Sequence, residues 1–283
     1  MINLGLLGWP VSQSLSPAIH NSALQAVGLE GEYRLFPIDP INPSQFSLLL
    51  EKLRNNELAG LNVTIPHKQS IINYLDEITP SARIIGAVNT IYSKDNRLIG
   101  HNTDAPGFVI DLEKKMGIGY LPGKAIVLGA GGSARAVVWA LSKKNWHVTV
   151  ASRNSEQSEK LAFYFNSINK SSNISRCKLD QDSMATLMEE VTLIVNTTPV
   201  GMIPNIEMSP WPEGLSLPTD AFAYDLIYNP SETLFLKNAK DSGMGTANGL
   251  GMLIEQASLA FEIWTGVTAP RDIMVEAVLS KRQ

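Results

Sequence analysis

Lys124-Ala-Ile-Val-Leu-Gly129-Ala130-Gly131-Gly132-Ser133-Ala134 is the stretch on which the reading of this chain turns. An apolar run with β-branched members, Ala125 to Leu128, feeds directly into glycines at 129, 131 and 132. Arg135 to Leu141 follows with helical character, Ala136, Val137, Ala140 and Leu141 sharing one side. Strand, tight turn and helix therefore succeed one another, with G-x-G-x-x-A at the turn (Gly129, Gly131, Ala134). The first small residue permits the turn, the second lets backbone approach a pyrophosphate, and the third brings helix and strand together. Free N–H groups at the helix start then face the phosphates, aided by the helix dipole. Alone, such a motif is weak and fits a glycine-rich turn in any α/β domain. The strand before it and the helix after it favour a dinucleotide site.

The remaining composition narrows the function class. A chain of 283 residues, 44% apolar and 18% charged, has room for a sizeable core in one or two domains. A net charge of −4 without a basic block argues against nucleic acid or an acidic membrane as partner. The single Cys177 forms no internal disulfide, and no Cys/His spacing resembles a metal site. The N-terminal Met1 to Gly8 lacks a positive segment and meets Trp9-Pro10, reading as a strand rather than a signal peptide. No apolar run approaches the ~18 residues of a membrane span. A cytoplasmic protein is the expectation.

Outward from the glycine turn, the pattern predicts alternating strands and helices. Strands are expected over Ile2 to Leu7, Glu32 to Ile38, Ala59 to Ile65, Ala87 to Tyr92 and Leu98 to His101. Helices are expected from Ser16-Pro17 (serine as N-cap), over Pro43 to Leu53, His67 to Leu75, and from a Thr79-Pro80 cap to Ile85. Asp104 to Met116 reads as a linking helix, and Gly117 to Gly123 as a boundary segment. Beyond the glycine turn come a strand at Val148 to Ala151, a helix at Ser155 to Phe165 and a polar loop at Asn166 to Ser175. Strands at Leu193 to Asn196 and Ala221 to Leu226 flank a four-proline loop, Pro204 to Pro218. An amphipathic helix at Met252 to Trp264 and a last one at Pro270 to Leu279 close the chain.

The residues after the second strand of a dinucleotide unit select the cofactor. An acidic residue about 20 positions on from the glycines ordinarily binds the ribose 2′-hydroxyl of NAD. Ser152, Arg153 and Asn154 stand there instead, with no carboxylate. A guanidinium fork suits a 2′-phosphate, and its neighbours add donors, so NADP is expected ahead of NAD.

Four polar clusters sit at strand ends or helix starts of the first hundred residues, where open α/β sheets bind ligands. They are Ser14-Leu15-Ser16-Pro17, Asn62-Val-Thr64-Ile-Pro66-His67-Lys68, Gly86-Ala-Val-Asn89-Thr90 and Asn102-Thr103-Asp104. With Asn-Thr-Thr-Pro-x-Gly-Met at 196 to 202, Asp-Leu-Ile-Tyr at 225 to 228 and Gly-Leu-Gly-Met-Leu-x-x-Gln at 249 to 256, the chain resembles the shikimate dehydrogenase family over nearly its whole length. Small departures are Ser133-Ala134, where Ala-Ser is frequent, and Ala105-Pro106 after Asp104, where glycine is common.

The resemblance implies a two-domain α/β fold: a substrate domain (1–104 plus 250–283) and a Rossmann-type NADP domain (105–249), with a C-terminal helix returning to the first and a cleft between them. It implies NADPH-dependent reduction of 3-dehydroshikimate to shikimate in aromatic amino acid biosynthesis. Ser14 and Ser16 would bind the substrate carboxylate, with Tyr228 approaching that side. Asn62, Thr64, Asn89, Asp104 and Gln256 would hold the ring hydroxyls. Lys68 and Asp104 match the catalytic pair. Gly129 to Ala134, Ser152, Arg153, Asn154, Thr197, Leu226 and Gly249 would bind the cofactor, and a homodimer is implied by family alone. Hydride arriving at a ketone leaves charge on oxygen, which a cation or proton donor such as Lys68 must stabilise. Rival readings are a quinate/shikimate dehydrogenase using NAD, and a non-catalytic metabolite sensor on the same scaffold. The sensor predicts loss of the lysine–aspartate pair, yet both residues are present.

Overall fold

The computed structural model describes residues 1–42, 44–117, 121–168 and 173–281. The chain divides into two compact units, Met1–Gly107 with Leu253–Gln283, and Phe108–Met252.

In the first unit, β1 (Ile2–Gly8) enters the core with five consecutive buried residues, the signature of a strand covered on both faces. Helix α1 (Ser16–Ala26) follows, then β2 (Gly31–Pro37), α2 (Ser44–Arg54) and β3 (Gly60–Val63). Helix α2 buries Phe46, Leu49, Leu50 and Leu53 at helical spacing, each removal from water worth roughly 2 kcal/mol. A 3₁₀ turn (Ser70–Tyr74), the two-residue β4 (Glu77–Ile78) and α3 (Pro80–Ile85) lead to the hairpin β5 (Thr90–Lys94) and β6 (Arg97–His101). Asp95 and Asn96 at the hairpin tip take positive φ, 51° and 60°. Helix α4 (Asp104–Met116) carries the chain out of this unit.

The sheet of this unit has order β2-β1-β3-β5-β6-β4. Strands β1, β2 and β3 are parallel, whereas β5 runs antiparallel to both β3 and β6. The antiparallel β5–β6 pairing follows from the short hairpin, which cannot make a parallel crossover, whereas the placing of β5 beside β3 is a non-local pairing.

The second unit holds β7 (Lys124–Leu128), α5 (Gly132–Lys143), β8 (His147–Ser152), α6 (Ser155–Ile168), β9 (Ile174–Lys178), α7 (Gln181–Ala185), a 3₁₀ turn (Met188–Glu190), β10 (Val191–Asn196), β11 (Phe222–Asp225), α8 (Leu234–Asp241) and β12 (Gly245–Asn248). Its sheet order is β12-β11-β10-β7-β8-β9, parallel throughout. That is the doubly wound order with its reversal between β7 and β10, where ligands bind in such sheets. The chain then re-enters the first unit through α9 (Leu250–Thr265) and ends in α10 (Arg271–Ser280).

Several expectations need correction. Ser16 is the first residue of α1 and Leu15 its N-cap; the Ser14 hydroxyl accepts the Ser16 N–H at 3.2 Å. His67 to Leu75 does not form an α-helix: 67–69 are turn and Ser70–Tyr74 a 3₁₀ turn, with Ile71 fully buried and Ile72, Tyr74 and Leu75 packed partly buried against the same core. Asn166–Ile168 extend α6, and Ile174 and Ser175 open β9. Helix α9 is not amphipathic: it is buried around most of its circumference, Ile263 alone being exposed. Pro43, residues 118–120 of the boundary segment and 169–172 of the polar loop lie outside the described residues.

Candidate active site

Lys68 and Asp104 meet. Lys68 follows the turn after β3, and Asp104 is the first residue of α4, where a carboxylate is favoured by the helix dipole. Lys68 Nζ donates to Asp104 Oδ2 at 2.7 Å, and the two residues are only 9% and 5% exposed. Taking both ions out of water costs several kcal/mol each, so this pair is a poor stability device. Its burial sets it apart from the surface pairs of the chain, such as Lys160–Glu156, where both partners are solvated.

Amides surround the pair. Asn89 Nδ2 lies 3.0 Å from Asp104 Oδ1, 2.8 Å from Thr103 Oγ1 and 3.3 Å from Gln256 Oε1. The Thr103 backbone N–H donates to Asn89 Oδ1 at 2.7 Å, one of the donors that orient the amide, with the Thr90 hydroxyl at 3.1 Å. The Val88 N–H donates to the Lys68 carbonyl at 2.8 Å, tying the lysine's backbone to this segment. Asn102 closes the start of α4, donating to the Ala87 carbonyl and accepting the Ala105 N–H. Gly107 is small by necessity, since a Cβ there would meet the Gln256 backbone at 2.8 Å.

The expected substrate residues differ in how far internal partners engage them. Asn62 has its Oδ1 taken by the Tyr33 hydroxyl at 2.8 Å, and its Nδ2 by the Asn89 carbonyl at 3.0 Å and Thr90 Oγ1 at 3.4 Å. Both ends of its amide thus have partners within the protein. Ser14 is half-buried in the β1–α1 connection and Ser16 buried as the first residue of α1; Thr64 is half-buried at the end of β3. Tyr228 is half-buried in the second unit, just past β11. His67 Nε2 bonds the Ile38 carbonyl at 2.7 Å, a structural use that keeps it out of the cluster. Sequence reasoning places Thr90 and Thr103 in the polar clusters without giving them a role, and misses Tyr33, which nothing local marks.

In the second unit the expected cofactor residues gather at the carboxyl ends of the parallel strands. Gly129 takes φ +107°, and a Cβ there would strike Thr197 Oγ1 at 2.8 Å. Gly131 is the N-cap of α5 without a side-chain cap, and a Cβ on it would meet nothing within 4 Å. An uncapped helix start with open space before it suits a pyrophosphate. Thr197 bonds the Leu128 carbonyl through both its N–H and its hydroxyl, Leu226 pairs with the Asn196 carbonyl, and a Cβ on Gly249 would collide with the Leu226 carbonyl. Ser152 is buried at the end of β8. Arg153 beside it is exposed and makes no hydrogen bond or ion pair among the described residues. Asn154 has a second duty: its Oδ1 accepts the Glu156 N–H at the start of α6. These groups fit an NADP-type dinucleotide.

Comparison with known proteins agrees with this geometry. The family model for the shikimate dehydrogenase substrate binding domain matches residues 6–91, and that for the shikimate 5'-dehydrogenase C-terminal domain matches 249–279. A shikimate dehydrogenase (NADP(+)) of Desulforamulus reducens is 42% identical over 95% of this chain and 92% of its own. A crystal structure of a shikimate dehydrogenase in complex with NADP+ superposes with a TM-score of 0.91 at 39% identity, covering 100% of this chain and 96% of the other. That of the Thermus thermophilus enzyme in complex with NADP(H) and shikimate gives 0.86 at 38% identity, covering 99% of each. With a buried lysine–aspartate pair in one unit, a phosphate-ready glycine turn in the other, and relatives this close along the full chain, the chain belongs to the shikimate dehydrogenase family.

Proposed function

We propose that this chain is an NADP-dependent oxidoreductase that interconverts 3-dehydroshikimate and shikimate. The observation that carries the reading is the 2.7 Å Lys68–Asp104 contact, buried among the Asn89 and Gln256 amides. Gly129 to Ala134, Ser152, Arg153, Asn154, Thr197, Leu226 and Gly249 would hold the dinucleotide, which when bound supplies or accepts hydride. Ser14, Ser16 and Tyr228 would meet the substrate carboxylate, and Thr64, Asn89, Asp104 and Gln256 its hydroxyls. Lys68 would stabilise charge developing on the carbonyl oxygen and deliver a proton to it, while Asp104 holds the ammonium in place. A cytoplasmic site of action and a homodimer belong to the same reading.

The test follows NADPH absorbance with 3-dehydroshikimate as substrate. Wild-type protein should oxidise NADPH, and Lys68→Ala should lose about 100-fold or more in kcat with a smaller change in substrate affinity. Normal turnover by that variant would remove the lysine from the mechanism. Failure of the wild type would remove the reading itself.

A further inference from the structure

Asn62, Thr90 and Tyr33 are almost fully buried beside the active pair; family resemblance gives Asn62 a ring hydroxyl to hold and gives the other two no contact with substrate. They form one continuous path of hydrogen bonds. Tyr33 OH donates to Asn62 Oδ1 at 2.8 Å, and Asn62 Nδ2 to Thr90 Oγ1 at 3.4 Å. Thr90 Oγ1 donates to Asn89 Oδ1 at 3.1 Å, and Asn89 Nδ2 to Asp104 Oδ1 at 3.0 Å. Lys68 Nζ completes the path on the other carboxylate oxygen, at 2.7 Å. From Tyr33 to Asp104 every donor points the same way, and Lys68 donates to Asp104 from the other side, because an amide N–H and an ammonium can only donate and a carboxylate can only accept.

The two ends of a primary amide have nearly the same shape, so packing alone does not choose between its flipped forms. Hydrogen-bond polarity chooses. Were Asn89 reversed, its oxygen would face the Asp104 carboxylate and its N–H₂ would face the Thr103 N–H. Were Asn62 reversed, its oxygen would face the Asn89 carbonyl. The Tyr33 hydroxyl satisfies the remaining end of Asn62, a buried acceptor.

Tyr33 is itself gripped by α1. His20 stacks flat on its ring, with centroids 4.4 Å apart and 3° between planes. Asn21 Oδ1 accepts the Tyr33 backbone N–H at 2.7 Å, and its Nδ2 reaches the Tyr33 carbonyl at 3.4 Å. The histidine and asparagine that follow the Ser-x-Ser-Pro run thus act on β2.

We infer that Tyr33, Asn62 and Thr90 are positioning residues, which fix the Asn89 amide so that it presents an N–H to Asp104, and that Asn62 works inside the protein rather than on substrate. The inference rests on the oxidoreductase reading and predicts a separation of kcat from binding. Tyr33→Phe should lower kcat five- to tenfold while the Kd for shikimate, measured by calorimetry on cofactor-free protein, stays within twofold. Adding Tyr33→Phe to Asn62→Ala should cost nothing further, since one interaction is lost only once. Thr90→Val should imitate Tyr33→Phe, and Thr90→Ser, which keeps the hydroxyl, should return kcat to within twofold of wild type. Full kcat in Tyr33→Phe, additive losses in the double variant, or a tenfold rise in Kd at unchanged kcat in Asn62→Ala would each overturn it. An inactive wild type would instead sink the oxidoreductase reading, and this inference with it.

Discussion

At the scale of single residues, a charged group draws meaning from what surrounds it. Lys68 and Asp104 are ordinary letters on their own, and a lysine–aspartate contact on a surface is worth ~0–1 kcal/mol. Buried and flanked by amides, the same pair becomes a means of handling charge at an oxygen. Asp225 is a second instance with another outcome. It accepts from Asn196 Nδ2, Thr233 Oγ1 and the Ile227 N–H, yet its complete burial pushes its pKa up to about 7. The folded state therefore holds a proton that the unfolded chain releases near pH 4. Stability of the second unit should fall as pH rises from about 4 to 7, by at most ~4 kcal/mol from this group. Asp225→Asn should flatten that dependence in denaturant melts taken across the range. An unchanged slope would show that the carboxyl is not its source.

At the scale of elements, strand ends set the chemistry of the second unit. Strands β7, β8, β10, β11 and β12 run parallel, so the loops after them converge on one edge of the sheet. Arg153 stands at that edge after β8, exposed to solvent. Arg153→Ala should raise the KM for NADPH about tenfold or more and leave that for NADH within twofold, because only the former carries a 2′-phosphate. Equal effects on both nucleotides, read in steady-state assays, would assign the arginine elsewhere. Sequence makes this element legible because the glycine turn, the strand before it and the missing acid all lie close together along the chain. Helix α9 is less legible: its apolar letters are dense all round, which reads as an amphipathic helix until burial on nearly every side is seen.

At the scale of the molecule, the first unit is discontinuous. Its closing segment, Leu253–Gln283, returns after the whole second unit has been made. Ala257, Ala260, Phe261, Met274 and Val278 are fully buried, and Trp264 Nε1 donates to the Ile91 carbonyl at 3.1 Å across to β5. Phe261 and Met274 alone would forfeit several kcal/mol if left out, a large share of a domain's margin. A chain ending at Met252 should therefore lose hydrogen-exchange protection in β1 and β3 and lose shikimate binding. Native-like protection of those strands would show that the C-terminal helices are dispensable to the fold.

The sequence by itself determined the fold class, the glycine turn and its helix, the amide and hydroxyl clusters at strand ends, and the pairing of Lys68 with Asp104 through resemblance. All but the last are local signals, set by side-chain period and turn chemistry over a few residues. Tertiary structure alone decided that β5 lies beside β3, that Asn62 is already engaged, and that Tyr33 belongs to the site at all. Those depend on partners 12 to 32 positions apart in the chain, and hydrogen-bond polarity between such partners leaves no periodic trace in the order of residues.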